Sequence, residues 1–320
     1  MKQFVIIFNR NWNGKSMKIY KNFLIHSQHK NSIILIGNFD GIHLGHQKLF
    51  SLAKKYKKKH SLNVGVLTFE PIPKFFFNKD LKNFKISNLE QKIDNLKRLN
   101  VDFIIIKNFN KKFSKTKSTI FIKEILGKKL RPKFIFVSNN FRFGNKREGN
   151  VKQLKKFEKL CGFKVVKPQP LTINKRIASS SSIRNYLTKG NLKKANKMLN
   201  RNWSIHGKVQ KGKQLGKKIG FPTANIDIKD YVLACPGVYA VRVKKIKGNS
   251  YFKGIANLGY RPTFNGKKIL LEVHLFNFSG NLYNKYLTVE FKKFIRKEKK
   301  FKNINQLKKQ IKIDLIKAKK

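Results

Sequence analysis

Acidic side chains are scarce in this chain. Its 320 residues hold 15 Asp+Glu against 74 Lys+Arg, a formal net charge of +59. Such an excess attracts phosphate polymers through counterion release. The lysines, however, are scattered over every segment, with no stripe or tail holding them, and Asn, Ile and Phe are heavy beside them. That is the pattern of drift in an A+T-rich genome, so the charge reads as compositional and a specific nucleic-acid partner is not expected. Cysteine is nearly absent as well. Cys161 and Cys235 lie far apart without metal-ligand spacing, which fits a reducing, cytoplasmic compartment. No apolar run approaches the roughly 20 residues of a membrane-spanning helix. The apolar part of the start, MKQFVIIFNRNW, is too short for a signal peptide. Residues 1–16 read as an extension or a misassigned start, because the segment from Met17 leads directly into the first strand. A Walker A loop is also missing: the nearest run, Gly212 to Lys218, has the wrong spacing and no Ser/Thr after its lysine. Any use of ATP must therefore rest on another scaffold.

What is present is a globular composition, 40% hydrophobic with 28 Phe, and length enough for two domains, each with its own core. In the first half, apolar runs at Ile33–Ile36, Val64–Phe69, Val101–Ile106 and Lys133–Val137 alternate with helical stretches such as Leu89–Leu99. This predicts β-α-β units and a parallel sheet covered on both faces. Ligands in such sheets bind beyond the carboxyl ends of the strands, where the unusual residues gather. After the first run comes Gly37–His46, GNFDGIHLGH. A strand, a glycine turn and a helix start present backbone N–H groups and a helix dipole to an anion. His43 and His46, three residues apart, are expected on one side of the first helical turn. Paired imidazoles at an anion site suit nucleotidyl transfer at the α-phosphate of ATP. Glu70-Pro71-Ile72-Pro73 follows the second run, and Ser138–Gly149, SNNFRFGNKREG, follows the fourth. The latter suits either a loop gripping a flat ring and phosphates or a surface loop anchored by two Phe. Ser179-Ser180-Ser181-Ser182-Ile183-Arg184 opens a helix, as caps or, with Arg184 one turn in, as a triphosphate grip.

From about Leu187 the texture changes. After a helix over Asn191–Leu199 the chain alternates: Tyr239, Val241 and Val243 share one face of a strand. So do Leu271, Val273 and Leu275, leaving Glu272 and His274 on the other. Short strands with Gly/Asn turns predict a small antiparallel barrel. Leu307, Ile311 and Leu315 predict an amphipathic helix over Ile304–Ile316 that packs on it. Gly207, Gly212, Gly216 and Gly220, interleaved with lysines, allow close approach to phosphates. Phe221-Pro222-Thr223-Ala224-Asn225 offers a hydroxyl and an amide oxygen two residues apart, suited to a Mg²⁺ that keeps most of its waters, or forms an ordinary turn.

GNFDGIHLGH, NNFRFG and SSSSIR, followed by GFPTAN, PGVYAV, ANLGYRPTF, LEVHL and RKEKKF, resemble in order and spacing the prokaryotic bifunctional riboflavin kinase/FAD synthetase. A lone HxGH also occurs in pantetheine-phosphate adenylyltransferases, cytidylyltransferases and class I tRNA synthetases. The extended motif is specific, and the KMSKS-type partner of a synthetase is missing. The resemblance covers Met17 to the C-terminal helix. It implies an α/β nucleotidyltransferase domain, Rossmann-like and of the HxGH type, over 1–186, then a β-barrel riboflavin kinase domain with a C-terminal helix over 187–320. It implies that riboflavin is phosphorylated to FMN and FMN adenylylated to FAD, with Mg²⁺ and ATP and with flavins as small-molecule substrates and products. Alternatives are a single surviving activity or a basic nucleic-acid-binding protein on this scaffold.

The implied roles follow residue by residue. His43 and His46 stabilise charge on the α-phosphate. Gly37, Asn38, Phe39 and Asp40 shape the nucleotide pocket, and Asn140 meets ligand from the second loop. Ser180, Ser181 and Arg184 bind the departing β,γ-phosphates. In the kinase, Gly212, Gly216, Gly220, Phe221, Pro222, Arg296 and Phe301 bind ATP or flavin, and Thr223 and Asn225 hold Mg²⁺–ATP. Glu272 is the base on the riboflavin 5′-hydroxyl. Departures are Ser138 and Asn140 for a usual Gly and Asp, Ile72 for a common His, and Ser181 for Thr. In the second half they are Asn200 and Asn284 for Gly, and Lys217 for Arg.

Overall fold

The computed structural model describes residues 17–78, 80–173, 176–212, 214, 216, 219–228, 230–245, 250–263 and 266–319. The extension read at residues 1–16 and the substitution at Lys217 lie outside them. Two compact units emerge: one from Met1–Phe39, Gly45–Lys79 and Lys92–Leu171, the other from Asp40–Leu44, Asp80–Gln91 and Thr172–Lys320.

The first unit carries β1 (Lys18–Tyr20), β2 (Ile33–Ile36), α1 (Leu44–His60), β3 (Val64–Glu70), α2 (Leu89–Arg98), β4 (Phe103–Asn108), β5 (Phe134–Phe136) and β6 (Lys164–Val166). α1 and α2 each straddle the division between units. The strands form one sheet in the order β1-β4-β3-β2-β5-β6, every pair parallel. Unbroken apolar runs make this possible, because both faces are covered. Ile34 and Ile36 join a core with Phe121, Leu126 and Leu130. Ile33 and Leu35, pointing the other way, are just as fully buried. Tyr56 of α1 packs edge-on against Phe134 and Phe136 of β5. The chain runs from β2 through β3 to β4 on one side, then returns to β5 and β6 on the other. The switch point therefore lies between β2 and β5, and the GNFD turn and the Ser138 loop both leave the sheet there.

The second unit begins with α3 (Ser180–Thr188) and α4 (Leu192–Leu199). Ser179 caps α3 by accepting from Ser182 N–H at 3.1 Å, and Asn191 caps α4 by accepting from Lys194 N–H at 3.2 Å. α4 ends at Asn200, left-handed at φ 56°, which Asn tolerates well. Six strands follow: β7 (Ser204–Gln210), β8 (Ala224–Asp227), β9 (Gly237–Lys245), β10 (Phe252–Thr263), β11 (Gly266–Leu275) and β12 (Tyr286–Lys297). They close an antiparallel barrel in the order β7-β8-β11-β10-β9-β12. Its interior takes Tyr239, Val241, Val243, Leu271, Val273 and Leu275, the faces that alternation marks out, together with Trp203 and Phe291. Segment 80–91 is stitched to this unit where Trp203 Nε1 donates to the Ile86 carbonyl at 3.0 Å and Gln91 Nε2 to that of Ser204 at 2.9 Å.

α5 (Ile304–Lys319) lies on β9, β10 and β12. Leu307, Ile311 and Leu315 are half-buried on its inner face, but the fully buried residue of that face is Asp314, 2% exposed. The apolar period thus orients the helix correctly, while an ion pair supplies its deepest contact.

Candidate functional site

The turn after β2 is unusually bent. Phe39, Gly41 and Ile42 have φ of 48°, 79° and 39°. Glycine adopts such values freely. At Gly41 a Cβ would also come within 2.8 Å of Ile86 Cγ2. For Ile42, β-branched, the conformation is strained. This bend delays the helix: α1 starts at Leu44, so His43 precedes it and His46 lies inside it, rather than both in its first turn as the spacing predicts.

In the first unit, Gly37 N–H donates to the Leu67 carbonyl at 3.1 Å, and the Thr68 hydroxyl to that of Asn38 at 3.4 Å. Phe39 is buried, its ring edge-on to His46 at 5.1 Å and tilted on Phe50 at 5.3 Å. Lys92, 1% exposed, places Nζ 3.4 Å from the Thr68 hydroxyl. At the end of β5, Ser138 Oγ donates to Asn140 Oδ1 at 3.0 Å, with both residues exposed. Phe143 is the buried anchor of this loop, stacked with Phe141 at 5.3 Å and packed on Phe121 at 5.4 Å.

The remainder of the turn belongs to the second unit, where long-range bonds fix it. Asp40, 4% exposed, accepts from Ile86 N–H at 3.0 Å and Ser87 N–H at 3.2 Å, and from Arg184 Nη2 at 2.5 Å. Arg184 also donates to the Phe84 carbonyl at 2.8 Å and lies 3.5 Å over the Phe84 ring. Ser180 Oγ donates to the Asp40 carbonyl at 2.9 Å. Asp40, Ser180 and Arg184 therefore form one cluster, while Ser181 is exposed beside it. Burial, reinforced by the positive charges of Arg201 and Arg184, holds the His43 imidazole down to about 4, so that it is neutral at physiological pH.

On the barrel the strands bring together residues that are far apart in sequence. Asn225 on β8 is directly opposite Glu272 on β11, which is opposite Asn257 on β10. Asn257 pairs with Val238 on β9, and Val238 with Arg296 on β12. Directly opposed residues present side chains on the same face. Ala224, Ile226, Leu271 and Val273 line the core, so this row faces outward. Asn225 Oδ1 is buried and has no hydrogen-bond partner among the described residues. A Cβ on Gly212 would overlap Asn225 Nδ2, so glycine there leaves room for the amide. An orphaned amide oxygen two residues from the Thr223 hydroxyl fits a hard cation such as Mg²⁺. No cluster of three or more His/Cys/Asp/Glu that could hold a metal exists among the described residues.

His274 donates from Nδ1 to the Pro222 carbonyl at 2.8 Å, since a carbonyl only accepts, and its ring meets that of Phe221 edge-on at 6.0 Å. It thereby holds the Phe221-Pro222-Thr223 segment. Gly220 is left-handed at φ 89°. Arg296 is engaged by Asp314, and its guanidinium carbon lies 5.8 Å from the Phe301 ring. Sequence reasoning passed over Asn257, Arg201 and Asp314. The first lies inside the ANLGYRPTF segment and the second follows Asn200. The third stands out only as a rare acid beside the apolar stripe of α5.

Comparison with known proteins agrees with this architecture. The FAD synthetase family model matches residues 25–182 and the riboflavin kinase family model residues 199–320. The bifunctional riboflavin kinase/FMN adenylyltransferase of Buchnera aphidicola subsp. Acyrthosiphon pisum is 42% identical over 288 residues, covering 89% of this chain and 92% of that one. The protein of the same name from Escherichia coli K12 is 36% identical over 89% and 91% of the two chains, and that from Bacillus subtilis 33% over 92% and 94%. A solved structure described as a macrolide-efflux protein from Streptococcus pneumoniae superposes with a TM-score of 0.82 at 29% identity, over 95% of this chain and 98% of that one. No helix among the described residues here is long and apolar enough to cross a membrane. With a nucleotidyltransferase-type sheet followed by the barrel, and with relatives aligned along nearly its whole length, the chain belongs to the bifunctional riboflavin kinase/FMN adenylyltransferase family.

Proposed function

We infer that the protein transfers the γ-phosphoryl group of ATP to the riboflavin 5′-hydroxyl, and then the adenylyl group of a second ATP to the FMN phosphate, releasing pyrophosphate and giving FAD. The observation that carries the kinase assignment is the outward row joining Glu272 to Asn225 with its orphaned buried oxygen. Here the Glu272 carboxylate orients the hydroxyl in line with the γ-phosphate and takes its proton late. Thr223 and Asn225 would hold Mg²⁺ bound to ATP, whose role is to neutralise charge on the phosphates. His274 fixes the strand entry that carries Thr223. Gly212, Gly216, Gly220, Phe221, Pro222, Arg296 and Phe301 bind ATP or flavin.

For adenylylation, supported by the switch-point position of the GNFD turn, His43 and His46 stabilise charge on the ATP α-phosphate. A neutral His43 acts as a hydrogen-bond donor as the phosphoryl charge develops, so its role is positioning more than proton transfer. Gly37, Asn38 and Phe39 shape the nucleotide pocket. Asp40 presets Arg184, which with Ser180 and Ser181 takes the departing β,γ-phosphates. Asn140 contacts ligand from its exposed loop. In this reading residues 1–186 form the adenylyltransferase and 187–320 the kinase. The setting is cytoplasmic, consistent with free thiols at Cys161 and Cys235. The +59 charge reflects composition, with no specific nucleic-acid partner.

Incubating the purified chain with riboflavin, Mg²⁺ and ATP, then resolving flavins by chromatography, tests both steps. FMN followed by FAD is expected. FMN alone would leave only the kinase, and neither product would refute the assignment. Glu272→Ala should stop FMN formation but spare FAD synthesis from supplied FMN, and His46→Ala should do the reverse.

A further inference from the structure

The strained Gly41–Ile42 turn is held from a residue far along the chain. Arg201 Nη2 donates to the Gly41 carbonyl at 2.5 Å and Nη1 to the Ile42 carbonyl at 3.3 Å, and Nη1 also reaches its own neighbour's carbonyl at Leu199, 3.1 Å away. On the opposite side, Gly41 N–H donates to Ser87 Oγ at 3.2 Å. Two carbonyls that point the same way into one planar guanidinium are fixed in direction, which a point-charge ammonium does less well. The peptide so fixed is the one immediately before His43, whose neighbour Ile42 sits at φ 39°. A β-branched residue keeps such a conformation only where its surroundings over-determine it, and such outliers gather at functional sites. Arg201 reaches this place because α4 stops at the left-handed Asn200, turning the next residue back along the helix. Its position, 201, lies in the stretch matched by the riboflavin kinase model, 199–320, outside the 25–182 matched by FAD synthetase.

We propose that Arg201 is a positioning residue for FMN adenylylation: its guanidinium clamps the Gly41 and Ile42 carbonyls and so sets where the His43 imidazole stands. The inference rests on the adenylyltransferase reading above, and it makes that activity depend on a residue from the kinase half of the sequence. The charged groups bearing on His43 are Arg201 and Arg184, the latter paired with Asp40. Arg201 thus also helps to keep the imidazole neutral.

The test uses the full chain carrying Arg201→Met or Arg201→Lys. FAD formation from supplied FMN, FMN formation from riboflavin, and the His43 titration by histidine-selective NMR are measured side by side. For Arg201→Met, kcat for FAD should fall about tenfold or more with little change in KM, because displaced catalytic groups cost mainly transition-state stabilisation. Its kinase rate should stay near wild type, and the His43 titration should rise by about one pH unit with the loss of a neighbouring cation. Arg201→Lys should restore the titration but only part of kcat, since the charge returns without the fork. An unchanged FAD rate in both variants overturns the proposal. So does an equal fall of both activities with the His43 titration released to the free value of 6.5, which is the signature of general unfolding. Should Arg201→Met fail to fold, Arg201→Lys decides alone: wild-type kcat refutes the clamp, and reduced kcat with normal titration supports it. If wild type makes no FAD, the activity reading fails, and the titration still decides whether Arg201 governs His43.

Discussion

Asp314 offers the sharpest energetic test of this structure. It is 2% exposed and accepts from Arg296 Nε at 2.9 and 3.0 Å and from Gln310 Nε2 at 3.0 Å, with Arg296 Nη2 2.7 Å from Oδ2. Removing one member of such a buried pair costs about 3–5 kcal/mol, chiefly because the surviving charge stays in a dry site. Here the survivor is Arg296, 20% exposed and still able to donate from Nη1 to the Lys297 carbonyl at 2.9 Å. Water and that carbonyl retain part of its solvation, so Asp314→Ala should cost about 2–3 kcal/mol. Asp314→Asn, which keeps the shape and one acceptor, should cost about half of that. Arg296→Met removes the other partner, and the double variant should be more stable than additivity predicts by about 1–3 kcal/mol. Urea unfolding followed by Trp203 fluorescence reads the barrel directly, since Trp203 is 1% exposed in its core. A Trp12→Phe background makes Trp203 the sole indole reporter. Additive losses, or an Asp314→Ala variant within about 0.5 kcal/mol of wild type, would refute the claim that this pair anchors α5.

Three further outcomes are expected. His43 has its pKa lowered from 6.5 to about 4 in the fold, so the native state favours the neutral ring. That contribution is fully present above pH 6.5 and is lost as pH falls through 4, on the order of 2–3 kcal/mol between pH 7.5 and 4.5. His43→Gln should lose that much less stability over the same range, and parallel urea midpoints for the two proteins would contradict this. Asn225→Leu should abolish FMN formation yet unfold no more easily than wild type, because an unsatisfied buried oxygen is removed. An active but destabilised variant would assign Asn225 to structure instead. His274→Leu should raise the Mg²⁺ concentration needed for half-maximal kinase rate several-fold by freeing the Pro222 carbonyl, with FAD synthesis from FMN unaffected. An unaltered Mg²⁺ dependence would show that the bond does not position Thr223.

Much of this fold is readable from local pattern. Unbroken apolar runs place β2, β3 and β5 in a sheet covered on both faces, and period-two alternation assigns Leu271, Val273 and Leu275 to the barrel interior. Glu272 and His274 are thereby turned outward from sequence alone. The serine run carries its own signal too, since Ser179 is a recognisable cap. Periodicity misjudged the start of α1. The backbone at Ile42 is forced by contacts from elsewhere, and no propensity of GIH announces a left-handed isoleucine.

The division has a physical basis. Hydrophobic period and turn chemistry are properties of a few neighbouring residues, so the sequence by itself determined a parallel sheet followed by a small barrel, the strands β2 to β5, the inward faces of β9 and β11 and the motif-bearing segments. Partnership between distant side chains depends on the packing of the whole chain, because each bond must outweigh the entropy of ordering the groups that make it. Asp40 and Arg184 are 144 residues apart, and Arg201 and Gly41 160. Only the tertiary structure decided that Asp40 pairs with Arg184, that Arg201 bonds the Gly41 and Ile42 carbonyls before His43, and that Arg296 is tied to a buried carboxylate on α5.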